Sequence, residues 1–163
     1  MRAWRICKSK YIATAFNGEG AFRYGGRWNS RGIPLVYLGG NPSISALEIV
    51  VNTDDSEDLY RIPYVLIPVD FDEALVTRLQ EIPDDWKQDP PPPSGAAVGD
   101  EWFRSGRSVV LEVPSAIIPF ERNFILNPLH KDFAQIKIGS PQKFEFDSRL
   151  AKLWPSVPTK NLS

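Results

Sequence analysis

This chain is poor in the residues that build several common kinds of site. It has one cysteine in 163 residues, so no intrachain disulfide can form and no cysteine cluster can hold a metal. That cysteine, Cys7, lies in an Ile6-Cys7-Lys8 context that reads as a strand, where a small buried thiol is expected rather than a nucleophile. There is one histidine, His130, a poor basis for a metal centre, and no metal is expected. A serine–histidine–aspartate set can be drawn from Ser115, His130 and Asp132, but no GxSxG elbow presents the serine, and the set is discounted. The net charge is −1, which gives no overall attraction to nucleic acid or to an anionic membrane. The longest weakly charged stretch, 32–53, is broken by Pro34, Gly39, Gly40 and Pro42 and cannot span a bilayer. Met1 to Ala13 carries scattered charge and no apolar segment of signal-peptide type. These absences lead to the expectation of a cytoplasmic protein with no membrane contact and no direct nucleic-acid binding.

What is present is ordinary in bulk and uneven in detail. Hydrophobic residues make up 42%, aromatic 12% and charged 24%, as in a folded globular protein, and the length suggests one domain over 1–163. The first ten residues carry Arg2, Arg5, Lys8 and Lys10 and no acid, a basic strand able to help hold an anionic small molecule. Residues 54–89 are rich in aspartate and glutamate, which reads as a solvated face. Between Gly32 and Thr53 the only formal charge is Glu48. A lone carboxylate in an apolar run needs a partner, a shifted pKa or a task.

The local patterns place that carboxylate. Trp4-Arg5-Ile6 reads as a short strand, and Asn17 to Ala21 as a turn. Gly25-Gly26 is a second turn, where glycine permits backbone angles or close approaches that other residues forbid, and it delivers Arg27-Trp28-Asn29. Leu35 to Leu38 is a strand apolar on both faces. A helix follows, with Asn41 as N-cap and Pro42 at its first position. Ile44, Leu47 and Val51 share one face at helical spacing, and Glu48 joins it. A structural salt bridge to an arginine and a place in a cleft would both satisfy Glu48 there.

Further on, Tyr60 to Val69 reads as a strand kinked at Pro63 and Pro68, and 72–82 as a helix capped near Asp70 or Asp72. Residues 83–99 read as a surface loop, with polyproline character at Pro90 to Pro93. Asp100 to Ser105 is a short helix capped by Asp100 and ended by Gly106. Ser108 to Val113 is a β-branched strand ended by Pro114, with Ser115 directly after it. Asn127 to His130 is a turn, Gly139 to Asp147 a last turn and strand, and the tail is loose unless Trp154 docks it.

Taken together these residues carry a family resemblance. Gly25-Gly26-Arg27-Trp28-Asn29-x-x-Gly32, then Val36-Tyr37-Leu38, then Ala46-Leu47-Glu48 resembles the RES domain family. Later pieces agree in order: Gly99-Asp100-x-Trp102, Val113-Pro114-Ser115, Asn123-x-x-x-Asn127-Pro128-x-His130 and Phe146-Asp147-x-Arg149-Leu150. With Trp4-Arg5 and Gly18-x-Gly20-Ala21 they cover about 4–150, leaving 151–163 as a tail. The resemblance implies an α+β domain with a split mixed β-sheet, similar to ADP-ribosyltransferases. It implies a toxin of a type II toxin–antitoxin pair that consumes NAD, with an Xre-type helix-turn-helix antitoxin as partner and room for a homodimer within that complex. The family's arginine, tyrosine, glutamate and serine match Arg27, Tyr37, Glu48 and Ser115.

Those residue types suit NAD. Arginine grips pyrophosphate in a bidentate, charge-assisted way, and Arg27 is the best placed, with Arg5 helping and Asn29 beside it. Tyr37 can stack on the cationic nicotinamide for ~1–2 kcal/mol. Cleavage of the N-ribosidic bond leaves an oxocarbenium-like ribose, and Glu48 would stabilise it while Ser115 orients Glu48. The acceptor is water or phosphate in one reading and a protein side chain in a second. A third reading is a non-catalytic module that only binds its antitoxin.

Overall fold

The computed structural model describes residues 1–53 and 58–153, so the expectation for Trp154 lies outside the described residues. In chain order the elements are β1 (Arg2–Lys8), α1 (Glu19–Tyr24), β2 (Val36–Gly39), α2 (Pro42–Val51), α3 (Asp58–Arg61), β3 (Tyr64–Asp70), β4 (Val76–Arg78), α4 (Pro93–Ser105), β5 (Val110–Pro114), β6 (Arg122–Leu126), β7 (Lys137–Ile138) and β8 (Gln142–Phe144). The strands form one curled mixed sheet in the order β4-β5-β6-β2-β1-β3-β7, with β8 also on β3. Among the described residues only β4 and β5 run parallel.

One seam of this sheet is open. β1 pairs with β3 along its whole length, from Arg2 opposite Asp70 to Lys8 opposite Tyr64. β2 pairs with β6 from Val36 opposite Leu126 to Gly39 opposite Asn123. Between β1 and β2 the register holds one pair, Trp4 opposite Gly39. Beyond it the strands part, which is the split that the resemblance implies. Backbone groups at such an opening still need partners. The Tyr37 carbonyl accepts from Arg5 Nη1 at 2.8 Å, so a side chain bridges the strands where their backbones have separated.

Apolar clusters fix the sheet from both faces. Val36 and Leu38 of β2 pack with Ala3, Val69, Val110, Phe124 and Leu126. The alternate positions, Leu35 and Tyr37, face Trp28, Trp102, Leu111, Val113 and Ile125. This two-sided burial is why β2 reads as apolar throughout. Helix α2 lies over the seam. Asn41 accepts from the Ile44 N–H at 2.9 Å and Pro42 opens the helix, both as expected. Ile44 is buried, as expected, and Val50, Ala46 and Ile49 pack against Ile6, Leu59 and Phe146. Val51, expected to point inward, is 57% exposed. Periodicity cannot choose a face on a helix that is apolar all round; the neighbours choose it.

Two sequence expectations are corrected. Residues 72–82 are not a helix: Glu73–Leu75 is a single 3-10 turn and β4 follows. Asp72 does cap that turn, accepting from the Ala74 N–H at 2.8 Å. Leu75 and Val76 pack into one cluster and Leu79 into the other, a division that an i, i+4 helical face cannot make. The helix expected at Asp100 instead begins at Pro93, and Asp100 lies inside it. Its glycines look like linker residues but serve close packing. A Cβ on Gly99 would collide with the Trp28 carbonyl, so glycine lets α4 press onto that backbone. Gly106 ends the helix in left-handed conformation, as expected.

Gly99→Ala should therefore drive α4 off Trp28 and lower the unfolding free energy by ~1–3 kcal/mol, about 2–4 °C of melting temperature for each kcal/mol. Gly20→Ala, where an added Cβ meets nothing within 4 Å, is the control. It should leave stability unchanged or raise it by up to ~1 kcal/mol. Calorimetry on the two variants checks this; equal midpoints would mean that α4 does not rest on Trp28.

Candidate active site

The open seam leads into a cavity of about 640 Å³, within the size range of small-molecule sites. Its wall takes Arg5 from β1, Arg27 from the α1–β2 connection, Tyr37 from β2, Glu48 from α2 and Asn123 from β6. Glu48 and Arg27 thus open onto one space.

Arg27 is placed by a tight loop. Gly25 closes α1 with φ +74, its N–H bonding the Ala21 carbonyl. Gly26 and Asn29 then form an isolated β-bridge, which throws Trp28 into the core and Arg27 to the cavity. Arg27 Nη1 donates to the carbonyls of Trp86 and Gln88, at 2.5 and 2.8 Å. Trp86 in turn stacks on Trp28, ring centroids 6.0 Å apart. Of residues 83–99, expected as a surface loop, those from 93 on belong to α4, and those before it are tied to the site, with Lys87, Asp89 and Pro91 lining the cavity. Arg27 has no carboxylate within ion-pair distance among the described residues.

Arg5 is the second guanidinium of the wall, which Lys87 also lines, and it too lacks a carboxylate partner among the described residues. Its Nη1 is spent on the Tyr37 carbonyl, and its Nε is buried without a partner. Burial holds its pKa below the ordinary value, the signature of a desolvated cation. Two guanidiniums without counterions in one cavity make a place for an anion.

Tyr37 presents its ring. Its hydroxyl donates to Asn29 Oδ1 at 2.7 Å and accepts from the Trp28 N–H at 3.1 Å. Burial raises the phenol well above its usual range, so it stays neutral and serves as a donor. Asn29 is buried behind the wall, its amide N–H groups shared among the carbonyls of Ala21, Ser30 and Ile33. It was expected beside the dinucleotide; the structure does not bring it to the cavity and places it as the anchor of Tyr37.

Glu48 is half-buried, and no arginine or lysine lies within ion-pair distance of it among the described residues. It is held by neutral donors. Ser115 Oγ donates to Oε1 at 3.3 Å, and Asn123 Nδ2 donates to the same oxygen at 2.6 Å. Ser115 is fully buried, and its hydroxyl oxygen accepts from the N–H groups of Ile117 and Ile118, both at 3.2 Å. With its lone pairs so occupied, the Ser115 proton has Glu48 as its acceptor. Asn123 is not assigned to the site by the sequence, although it stands in the Asn123-x-x-x-Asn127 piece of the family resemblance and is a polar residue near the start of the apolar strand β6.

His130 stands apart from the cavity. Nε2 meets the Gly106 carbonyl at 2.8 Å, and Nδ1 accepts from the Asp132 N–H at 3.1 Å, which holds a turn. No group of three or more metal-ligating side chains occurs among the described residues. Cys7 is buried, and burial raises its thiol pKa, as for an inert core cysteine. No helix among the described residues is long and apolar enough to cross a membrane.

An α+β domain whose curled, split sheet opens on a cavity lined by a carboxylate and by two arginines without carboxylate partners among the described residues is the class that fold and site define. Comparison with known proteins makes it specific: the RES domain profile matches residues 2–147, and the chain belongs to the RES domain family. It is 38% identical over 154 residues to a protein named Toxin Res from Photorhabdus laumondii subsp. laumondii, covering 93% of this chain and 98% of that one. It is 33% identical over 154 residues to a Prs ADP-ribosylating toxin from Sphingobium sp. (strain YBL2), covering 91% and 96%. In fold it matches a chain of the M. tuberculosis MbcT-MbcA toxin-antitoxin complex, with TM-score 0.73, 19% identity and coverage of 88% and 84%.

Tyr37→Phe keeps the ring and strands two buried groups, Asn29 Oδ1 and the Trp28 N–H. The expected loss is ~1–3 kcal/mol of stability, read from denaturant unfolding. Wild-type stability in this variant would show that the phenol does not hold the loop.

Proposed function

We propose that this domain is the toxin of a type II toxin–antitoxin pair and cleaves the nicotinamide–ribose bond of NAD. The observation that supports the reading best is the state of Glu48: a carboxylate on the cavity wall, oriented by neutral donors and not neutralised by a salt bridge. Across the same cavity stand Arg5 and Arg27, two cations for the two charges of a pyrophosphate.

The chemistry follows from that layout. The pyrophosphate binds to Arg27, with Arg5 at its side, and the nicotinamide ring lies against Tyr37. The C1′–N bond breaks with its electron pair passing to the nicotinamide nitrogen, which leaves neutral. Positive charge develops on the ribose as an oxocarbenium, and the Glu48 carboxylate stabilises it and accepts from the 2′-hydroxyl. Ser115 keeps Glu48 in that orientation and does not touch the substrate. Water or phosphate then adds to C1′, releasing a proton when water is the acceptor. No metal takes part in this scheme. An Xre-type antitoxin is the proposed partner, and the cytoplasm the proposed compartment.

A second reading has a specific observation behind it. The Sphingobium relative is named an ADP-ribosylating toxin, and the same cleft would serve transfer to a protein side chain. Incubating the purified chain with labelled NAD separates the two. Free nicotinamide with soluble ADP-ribose products is expected; label on a protein band would favour transfer. Intact NAD with a well-folded, antitoxin-free sample would leave only a binding module.

Two variants test the assigned roles. Glu48→Gln keeps volume and fold while removing the charge, and turnover should fall at least ~100-fold. Arg27→Lys loses the bidentate grip and should raise KM for NAD. Full activity in either variant removes that residue from its role.

A further inference from the structure

We infer that Asn123 is a positioning residue for Glu48, fixing which carboxylate oxygen is offered to the ligand. The inference rests on the proposed role of Glu48 and extends it to a residue outside the arginine, tyrosine, glutamate and serine set. The Asn123–Glu48 bond is the shorter of the two that hold the carboxylate, 2.6 Å against 3.3 Å from Ser115. Both go to Oε1, and Oε2 accepts no hydrogen bond among the described residues. A carboxylate gripped twice by one oxygen has its terminal torsion fixed, and the other oxygen is left for a ligand.

The backbone of Asn123 makes it a rigid anchor. It sits on β6 between two partner strands, opposite Gly39 of β2 and Val113 of β5. The donor therefore comes from the body of the sheet, whereas Ser115 comes from the turn after β5. The residue type matters as well. An amide donates without carrying charge, so it orients the carboxylate and leaves its negative charge to meet a cationic ribose. A lysine or arginine at this place would orient it and also neutralise it. The cost is visible: Asn123 Oδ1 is buried without a partner. A buried acceptor left unmade is unfavourable, so Asn123 is not a residue that stability alone explains.

The test is Asn123→Ala, with NAD turnover, thermal stability and a crystal structure measured on the same preparation. Turnover should fall ~10–100-fold in kcat, as for a lost transition-state contact, with KM within ~3-fold because the pyrophosphate and nicotinamide contacts are untouched. The melting temperature should not fall, since the orphaned Oδ1 leaves with the side chain. In the crystal structure the Glu48 carboxylate should be rotated or split between positions. A merely structural Asn123 predicts the opposite, a drop in melting temperature with Glu48 in place. An unchanged kcat, or an unmoved Glu48 carboxylate, overturns the inference. The crystallographic arm stands even if the wild type leaves NAD intact: that outcome defeats the proposed reaction, while the position of Glu48 still decides the role of Asn123.

Discussion

A carboxylate on a helix with no other charge has to be received by something, and in this fold it is received by two neutral donors, Ser115 and Asn123. Everything around Glu48 is arranged to make that possible. Helix α2 is capped by Asn41 and seated over the seam, with Ser45 Oγ donating to the Trp4 carbonyl of β1 at 3.2 Å. Opposite, Ser115 and Asn123 come from adjacent antiparallel strands, one just past the end of β5 and one on β6. The turn that carries Ser115 is closed by its own N–H bonding the Glu121 carbonyl at 3.1 Å. The Glu121 side chain then accepts from Asn41 Nδ2 at 2.8 Å, so the turn is tied to the start of α2. The two walls that hold Glu48 are thus fastened to each other at a second point.

The opening between β1 and β2 is the geometric counterpart of that arrangement. A closed ladder would leave no space beneath α2; a seam with one register pair leaves room for a cavity that residues of β1, β2 and α2 help to line. Arg5 makes the opening tolerable by satisfying the Tyr37 carbonyl, and in doing so it places a cation in the cavity wall. The same side chain therefore has a structural bond at one nitrogen and an unmet donor at another. Tyr37 is similarly divided, its carbonyl held by Arg5 and its hydroxyl by Asn29 and Trp28, while the residue also lines the cavity.

How far the sequence could be read depends on whether a residue's role is local. The Asn41-Pro42 helix start, the buried β2 and the Gly106 stop all follow from rules that span a few residues, and all were legible. Glu48 stood out because charge is rare in its neighbourhood. The failures are non-local. Residues 72–82 have helical spacing at Leu75 and Leu79, but two separate clusters claim those leucines and the backbone extends between them. Gly95 and Gly99 look like linker glycines until Trp28 is known to lie against them. Asn123 and the 86–91 segment reach the cavity through strand pairing and a tryptophan stack, neither of which a single sequence displays. Asn29 shows the reverse case: two residues from Arg27 in sequence, it is not among the residues lining the cavity, and its side chain is taken up by Tyr37 and three backbone carbonyls.

The electrostatics of the cavity argue for a ligand that brings charges of both signs. Arg5 and Arg27 line the same cavity as Glu48, yet among the described residues none of the three is paired with another as an ion pair. If folding alone had shaped this site, an arginine–glutamate bridge would be the cheap solution, because unpaired charge at a half-buried position is penalised by desolvation. The chain instead spends backbone carbonyls on Arg27, a strand carbonyl on Arg5, and a hydroxyl and an amide on Glu48. Each of these partners is a dipole, able to hold a charge in position without cancelling it. Dipoles fixed before the ligand arrives need not reorganise during a reaction, which is the property that makes a preorganised site effective. The dinucleotide proposed as substrate, with an anionic pyrophosphate and a ribose that turns cationic, would match both halves of that field.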